Sequence, residues 1–251
     1  MDKYRKLYNE HPDYEVLRER KGAIYEKYIN DVKFWKLKFL EDLLNKQNII
    51  HELTNVLEIG CATGELLNLF LEKTSISKLG LDISDRNIQS AKKFYPQITF
   101  SSESYLDFFS RYMKEIDVVI LSDILEHVED DLKMLKISGK KSKYVLLNLP
   151  IEKVPEYENR SYGINDAEGH LRSYSIVDAF GLIEKAELKV LDYRIEQYVL
   201  QAVFKNYLLD KLKMKCDNLN EALYYYIKEI NEIEMNKSSY KMNFFALLAR
   251  K

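Results

Sequence analysis

Residues 56–64 read Val56-Leu57-Glu58-Ile59-Gly60-Cys61-Ala62-Thr63-Gly64, and Glu65-Leu66-Leu67-Asn68-Leu69-Phe70-Leu71 follows directly. The apolar run from Asn55 to Ile59 has strand character, the glycines punctuate a turn, and the apolar spacing after Gly64 is helical. Strand, tight glycine loop and helix together bring bare backbone against a nucleotide-like ligand in an open α/β sheet. Gly60 and Gly64 remove Cβ atoms where ligand and chain must touch, while Cys61 and Ala62 offer the loop's backbone. Glu58, at the strand's end, presents a carboxylate that accepts hydrogen bonds from a ligand amine or hydroxyl.

Spacing narrows the ligand. A dinucleotide fingerprint needs G-x-G-x-x-G, and here Ala62 occupies the middle glycine's place. No Lys-Ser/Thr pair follows Gly64, which excludes a P-loop. An acidic strand end is a poor neighbour for phosphate and suits a cationic amine or sulfonium.

A second apolar strand, Lys78-Leu79-Gly80-Leu81-Asp82-Ile83-Ser84, closes on Asp82, which falls 82 − 58 = 24 positions after Glu58. That span fits a strand–helix–strand unit, and a carboxylate there clamps a ribose diol. Further strands are expected at Gln97 to Phe100, at Ile116 to Leu121, and from Lys143 to Leu149, stopped by Pro150. Ser122-Asp123-Ile124-Leu125-Glu126-His127-Val128 follows the fourth strand.

With V-L-E-I-G-C-A-T-G, G-L-D-I-S, D-V-V-I-L-S-D-I-L-E-H-V and Y-V-L-L-N-L-P in this order, the chain resembles the class I S-adenosylmethionine-dependent methyltransferases. The resemblance runs over roughly residues 55–200, with the last strand at 243–250. It implies a Rossmann-like α/β fold, doubly wound, with a mostly parallel seven-stranded sheet whose last strand is antiparallel. It also implies S-adenosylmethionine as cofactor, with S-adenosylhomocysteine as its product. The cofactor-binding residues it implies are Glu58, Gly60, Cys61, Ala62, Gly64, Asp82, Ile83, Glu103, Ser122 and Asp123. Glu103 stands in for the acid usual after the third strand, with Asp107 as its alternative, and Ile83 is expected on the adenine face.

The organisation is a helical N-terminal cap over residues 1–54, then a methyltransferase domain over 55–251. Tyr25 to Leu44 has helical periodicity without Gly or Pro. A helical insertion over about 201–241 separates the last two strands, as a lid or a homodimer surface.

The acceptor side is expected in the loop from Pro150 to Ser175, which holds two of the chain's four prolines. Within it Gly169-His170-Leu171-Arg172-Ser173-Tyr174-Ser175 resembles a segment of bacterial small-molecule and sugar methyltransferases, with Ser175 as a helix N-cap. His170 is the expected general base, because a hydroxyl nucleophile improves as its proton is removed. His127, Asn148, Tyr162 and Arg172 are assigned to the substrate. Adjacent residues on a helix point about 100° apart, so Glu126 and His127 are not expected to chelate together, and no metal is assigned.

Composition agrees with a soluble globular protein, and its Lys, Asn, Ile and Tyr content suits an A+T-rich bacterium: 251 residues, 46% hydrophobic, 31% charged, net charge −2, with Cys61 and Cys216 giving no disulfide framework. No apolar run reaches membrane-span length and the start lacks a signal-peptide core, so a cytoplasmic location is expected. The segment after the fourth strand lacks the N/D-P-P-Y turn of base-amine methylation, which makes nucleic acid an unlikely acceptor. The expected acceptor is a small hydroxyl compound, such as a nucleotide-linked sugar or another capsule or lipopolysaccharide precursor. The alternatives are RNA or protein as acceptor, or a partner protein that binds the cofactor without catalysis.

Overall fold

A computed structural model describes residues 2–10, 12–153, 157–163, 166, 168–198, 202–235 and 242–251. Parts of the acceptor loop (154–156, 164, 165, 167) and of the insertion (201, 236–241) therefore lie outside the described residues. Seven strands form one sheet: β1 Asn55–Ile59, β2 Ser77–Leu81, β3 Thr99–Ser101, β4 Ile116–Ser122, β5 Ser142–Ile151, β6 Leu188–Gln197 and β7 Met242–Arg250. Their order is β3-β2-β1-β4-β5-β7-β6. The first five are parallel, and β7 runs antiparallel between β5 and β6. The strand order reverses between the parallel neighbours β1 and β4, so a crevice opens beyond their carboxyl ends.

The helices are α1 Asp2–Glu10, α2 Pro12–Glu19, α3 Gly22–Asp31, α4 Leu37–Lys46, α5 Glu65–Leu69, α6 Asp85–Phe94, α7 Tyr105–Arg111, α8 Asp131–Lys141, α9 Ile176–Lys185, α10 Ala202–Lys213 and α11 Leu219–Met235. Among the described residues no helix is long and apolar enough to cross a membrane. Alternation along β1 assigns its side chains to two cores. Val56 joins Trp35, Leu40, Leu43 and Phe245 on one face, and Leu57 and Ile59 join Leu121, Leu147 and Phe244 on the other. Glu58 shares the first face and is buried there. The helix expected from Tyr25 to Leu44 is interrupted by a π turn at Val32–Lys36. One extra residue per turn there rotates the following helix and turns Lys36 inward.

Pro150 does not stop the fifth strand. β4 pairs with β5 only as far as Asn148, whereas β7 continues alongside to Ile151. Pro150 thus lies where β5 has a neighbour on one side only, and a missing N–H is tolerated at such an edge. Ser175 caps α9 through a full capping box with Asp178. The α10–α11 pair occupies the insertion, and α10 touches α3.

Gly80 fixes how closely β2 approaches the glycine loop. A Cβ there would stand 2.5 Å from the Phe100 ring and 2.9 Å from Cys61 Sγ. Gly80→Ala is expected to lower stability by about 1–3 kcal/mol through overpacking. Urea unfolding checks this, and an unchanged midpoint would mean that the ring moves aside freely.

Candidate active site

The glycine loop is hooked onto the end of β2. The Gly60 and Cys61 N–H groups both donate to Leu81 O, at 2.7 and 2.9 Å. The Ala62 N–H donates to Asp82 Oδ2 at 2.9 Å, and Ser84 N–H to Asp82 Oδ1 at 2.8 Å. Gly60 and Gly64 have φ of +82° and +88°, and Ala62 shares the left-handed region at +45°. A Cβ on Gly60 would meet Ile124 Cδ1 at 2.8 Å, so both conformation and space require glycine.

Beyond this loop lies a cavity of about 420 Å³. Of the residues assigned to the cofactor, Gly60, Asp82, Ile83, Glu103 and Asp123 line it. Cys61, Ala62 and Gly64 shape the loop, with Cys61 buried. Burial pushes the Asp82 carboxyl up to about 6, against the two backbone N–H donors that hold it down. The Glu103 carboxylate is held by Arg111 and by Ser101 Oγ, and the pair lowers its pKa. Asp107, the alternative, is tied to the Ser104 cap of α7.

Glu58 differs from expectation. It sits beneath the loop rather than in the cavity wall, because its strand position faces the first core. Burial raises it to about 8, offset in part by Lys36 and by the Leu67 N–H. Among the described residues its Oε2 has no hydrogen-bond partner. A buried carboxylate oxygen left over beneath a glycine cradle suits a ligand that brings an amine. With the ribose-type carboxylate Asp82 and the cavity's apolar walls at Ile83, Leu106 and Met134, these residues fit S-adenosylmethionine.

Lys36 escaped the sequence reading. Its ammonium lies 2.8 Å from Asp123 Oδ2, where β4 gives way to the following turn. Asp123, at φ +50°, also accepts from Asn148 Nδ2 at 2.8 Å, and Asn243 Nδ2 donates to Asn148 Oδ1 at 2.7 Å. Ser122 and Asn148, assigned to cofactor and substrate respectively, thus serve as inner struts for Asp123. The signal for Lys36 would have been a π turn, which apolar periodicity does not reveal.

The N-terminal cap closes the cavity with Tyr8 and Tyr14. It is anchored by Ser84 Oγ donating to Asn9 Oδ1 (2.7 Å), and by Arg18 Nε donating to Asn87 Oδ1 (2.9 Å). Arg20 reaches the glycine loop itself, pairing with buried Glu65 at 2.8 Å and donating to Thr63 O at 3.0 Å.

The acceptor loop returns to the sheet through the Ile151–Tyr174 bridge, and the Leu171 N–H donates to Glu126 O. Within the loop, Arg160 binds Asp166 in bidentate fashion, at 2.7 and 2.6 Å. His170 is buried, its Nδ1 2.8 Å from Glu152 Oε2, and its ring stands edge-on to His127 with centroids 4.7 Å apart. Sequence reading missed Glu152, since nothing before folding links it to a residue 18 positions away. His127 lines the cavity, with its Nδ1 3.2 Å from Gly169 O. Burial and the neighbouring His170 lower it to about 4.

Two substrate assignments land elsewhere. Arg172 donates to Leu125 O and Glu129 O and pairs with Asp131, so it ties the loop down outside the cavity wall. Tyr162 leans on the Arg160 guanidinium, 5.1 Å from its ring centroid. The expected divergence of Glu126 and His127 does not hold either: Leu125–His127 is a short 3₁₀ turn, and His127 Nε2 lies 3.8 Å from Glu126 Oε1.

A family model described as a methyltransferase domain matches residues 25–193. Among solved structures, magnesium protoporphyrin IX methyltransferase from Synechocystis PCC 6803 with bound S-adenosylmethionine is similar at TM-score 0.59 and 14% identity, covering 100% of this chain and 98% of that one. Plantazolicin methyltransferase with S-adenosylhomocysteine is similar at TM-score 0.59 and 16% identity, covering 99% and 95%. Phosphoethanolamine N-methyltransferase 2 from Haemonchus contortus gives TM-score 0.62 and 14% identity, covering 99% of this chain and 60% of that one. No curated protein sequence matches.

Proposed function

The chain belongs to the methyltransferase-domain family, and we propose that it methylates a hydroxyl of a small metabolite, such as a nucleotide-linked sugar or another surface-polysaccharide precursor. S-adenosylmethionine is its methyl donor, supplying an electrophilic methyl group on a sulfonium that departs as a neutral thioether. Asp82 clamps the ribose hydroxyls and Gly60 gives the donor room, while Tyr8 and Tyr14 exclude water from above.

The observation that carries the acceptor reading is the His127–His170 pair, with His127 in the cavity wall and His170 packed edge-on behind it and held by Glu152. Because Nδ1–H donates to Glu152, the lone pair resides on His170 Nε2. That nitrogen takes the hydroxyl proton as the new oxygen–carbon bond forms. Glu168, 58% exposed and 3.5 Å away, passes the proton to solvent. His127 stays neutral near pH 7 and orients the acceptor rather than carrying the proton.

Methyl-labelled S-adenosylmethionine incubated with protein and cell extract tests the reading. Label in the nucleotide-sugar or small-metabolite fraction is expected. Label in RNA or protein would overturn the acceptor class and keep the chemistry.

Cofactor affinity should also depend on pH. A bound diol favours ionised Asp82, so protonation below about pH 6 opposes binding. The S-adenosylhomocysteine dissociation constant is expected to rise by up to about tenfold per pH unit there. Calorimetry across about pH 5 to 8 reads this directly, and a flat profile would remove Asp82 as the clamp.

A further inference from the structure

We propose that α11 is a dimerisation helix, through which two copies of this chain pack antiparallel across a two-fold axis. At about 100° per residue, positions 219–232 of α11 divide into three faces. Ala222 is fully buried, and Tyr226 and Ile230 are half-buried, which marks the side turned toward the body of the protein. The next arc, about 100° wide, carries Asn220, Leu223, Tyr224, Ile227 and Asn231, all of them exposed and none charged. Tyr224 is 65% exposed and Ile227 58%. Glu221, Lys228, Glu229 and Glu232 keep to the remaining side. A surface helix needs one apolar stripe to dock on its own core; α11 has a second one that faces water.

Charge selects a second copy as the occupant. Glu221 and Lys228 stand side by side at the outer edge of the uncharged arc, two turns apart along the helix. In an antiparallel pair whose two-fold axis passes between residues 224 and 225, position 221 of one helix lies level with position 228 of the other. A two-fold axis keeps each edge on its own side of the interface, so Glu221 meets Lys228 of the second copy, and the contact occurs twice. The same register sets Ile227 of one copy level with residue 222 of the other, beside Leu223. The aliphatic side chains therefore interleave at the axis, with Tyr224 between them and the charged edge, and Asn220 and Asn231 close the two ends.

Other occupants fit less well. The charged side of α11 holds three acids and one lysine over these positions, which repels an anionic lipid surface. Among the described residues none that lines the donor cavity comes from α10 or α11, which speaks against a lid. A helix of this length presents about 26 Å of contact, at the small end of stable interfaces, so a dissociation constant in the micromolar range is expected. Because α10 packs on α11 and touches α3, the two-fold contact braces the N-terminal cap from outside. The inference holds whichever acceptor is methylated.

Sedimentation equilibrium of the full chain, from about 1 to 100 μM, tests the surface without donor or acceptor. A monomer–dimer equilibrium is expected, and Ile227→Glu should raise its dissociation constant at least about 100-fold by placing an unpaired charge at the axis. Glu221→Lys and Lys228→Glu should each weaken the dimer by about tenfold, because either one sets like charges opposite one another twice. The double variant, with the pair reversed, should return to the parent value. Glu229→Lys, on the side away from the contact, should leave association unchanged. Thermal melting checks the fold of each variant; should Ile227→Glu fail to fold, the charge reversal and its rescue decide alone. A parent chain that stays monomeric at about 100 μM overturns the proposal. So does a dimer that Ile227→Glu leaves intact, or a double variant no tighter than the single ones. Loss of S-adenosylhomocysteine affinity in Ile227→Glu without a change in mass would make the stripe a lid instead.

Discussion

His170→Ala is expected to lower turnover on the labelled acceptor fraction by about 10²–10⁴-fold, the usual contribution of a positioned proton acceptor. S-adenosylhomocysteine affinity should stay at the parent value, because His170 does not line the donor cavity. The pairing with Glu152 makes the effect large, since a buried imidazole fixed at 2.8 Å by a carboxylate presents one nitrogen in one direction. Loss of affinity together with turnover would mean that the loop from Glu152 to Tyr174 has collapsed, which the Leu171-to-Glu126 hydrogen bond would report in amide exchange. Unchanged turnover would remove His170 as the base.

Asp82→Ala should weaken S-adenosylhomocysteine binding by about 10²–10⁴-fold. The side chain does two things at once. It receives the Ala62 and Ser84 N–H groups, which set the curvature of the glycine loop, and it faces the cavity where a ribose diol would sit. Each hydrogen bond to a charged acceptor contributes about 1.5–3 kcal/mol, and two of them give that range. Asp82→Asn keeps the shape and one acceptor oxygen, so it should fall between the two. Isothermal titration of the three proteins orders them, and equal affinities would place the ribose elsewhere.

The glycine loop was legible because its constraints are local. Positive φ at Gly60 and Gly64, a strand before and a helix after, and an acid at the end of the next strand are all properties of short segments. The sheet followed from the same logic, since continuous apolar runs such as Val118 to Leu121 read as buried parallel strands. Pro150 misled because its local preference is to end a strand, whereas the pairing of β5 with β7 extends the sheet past it. Arg172 misled for a related reason: a guanidinium in a polar loop suggests a ligand, yet three local oxygen partners claim it.

By itself the sequence determined the family's fold, the glycine loop and the acid Asp82 at the end of the next strand, because backbone conformation and apolar alternation act within a few residues of one another. Only the tertiary structure decided which side chains meet across long separations. It brought Lys36 to Asp123 by a π turn, and set Glu152 behind His170. It also turned Glu126 and His127 toward one another, a helix rule having predicted the opposite. Such meetings depend on where whole elements pack and on how one short turn bends, and burial then makes each pairing consequential by removing the water that would otherwise screen it.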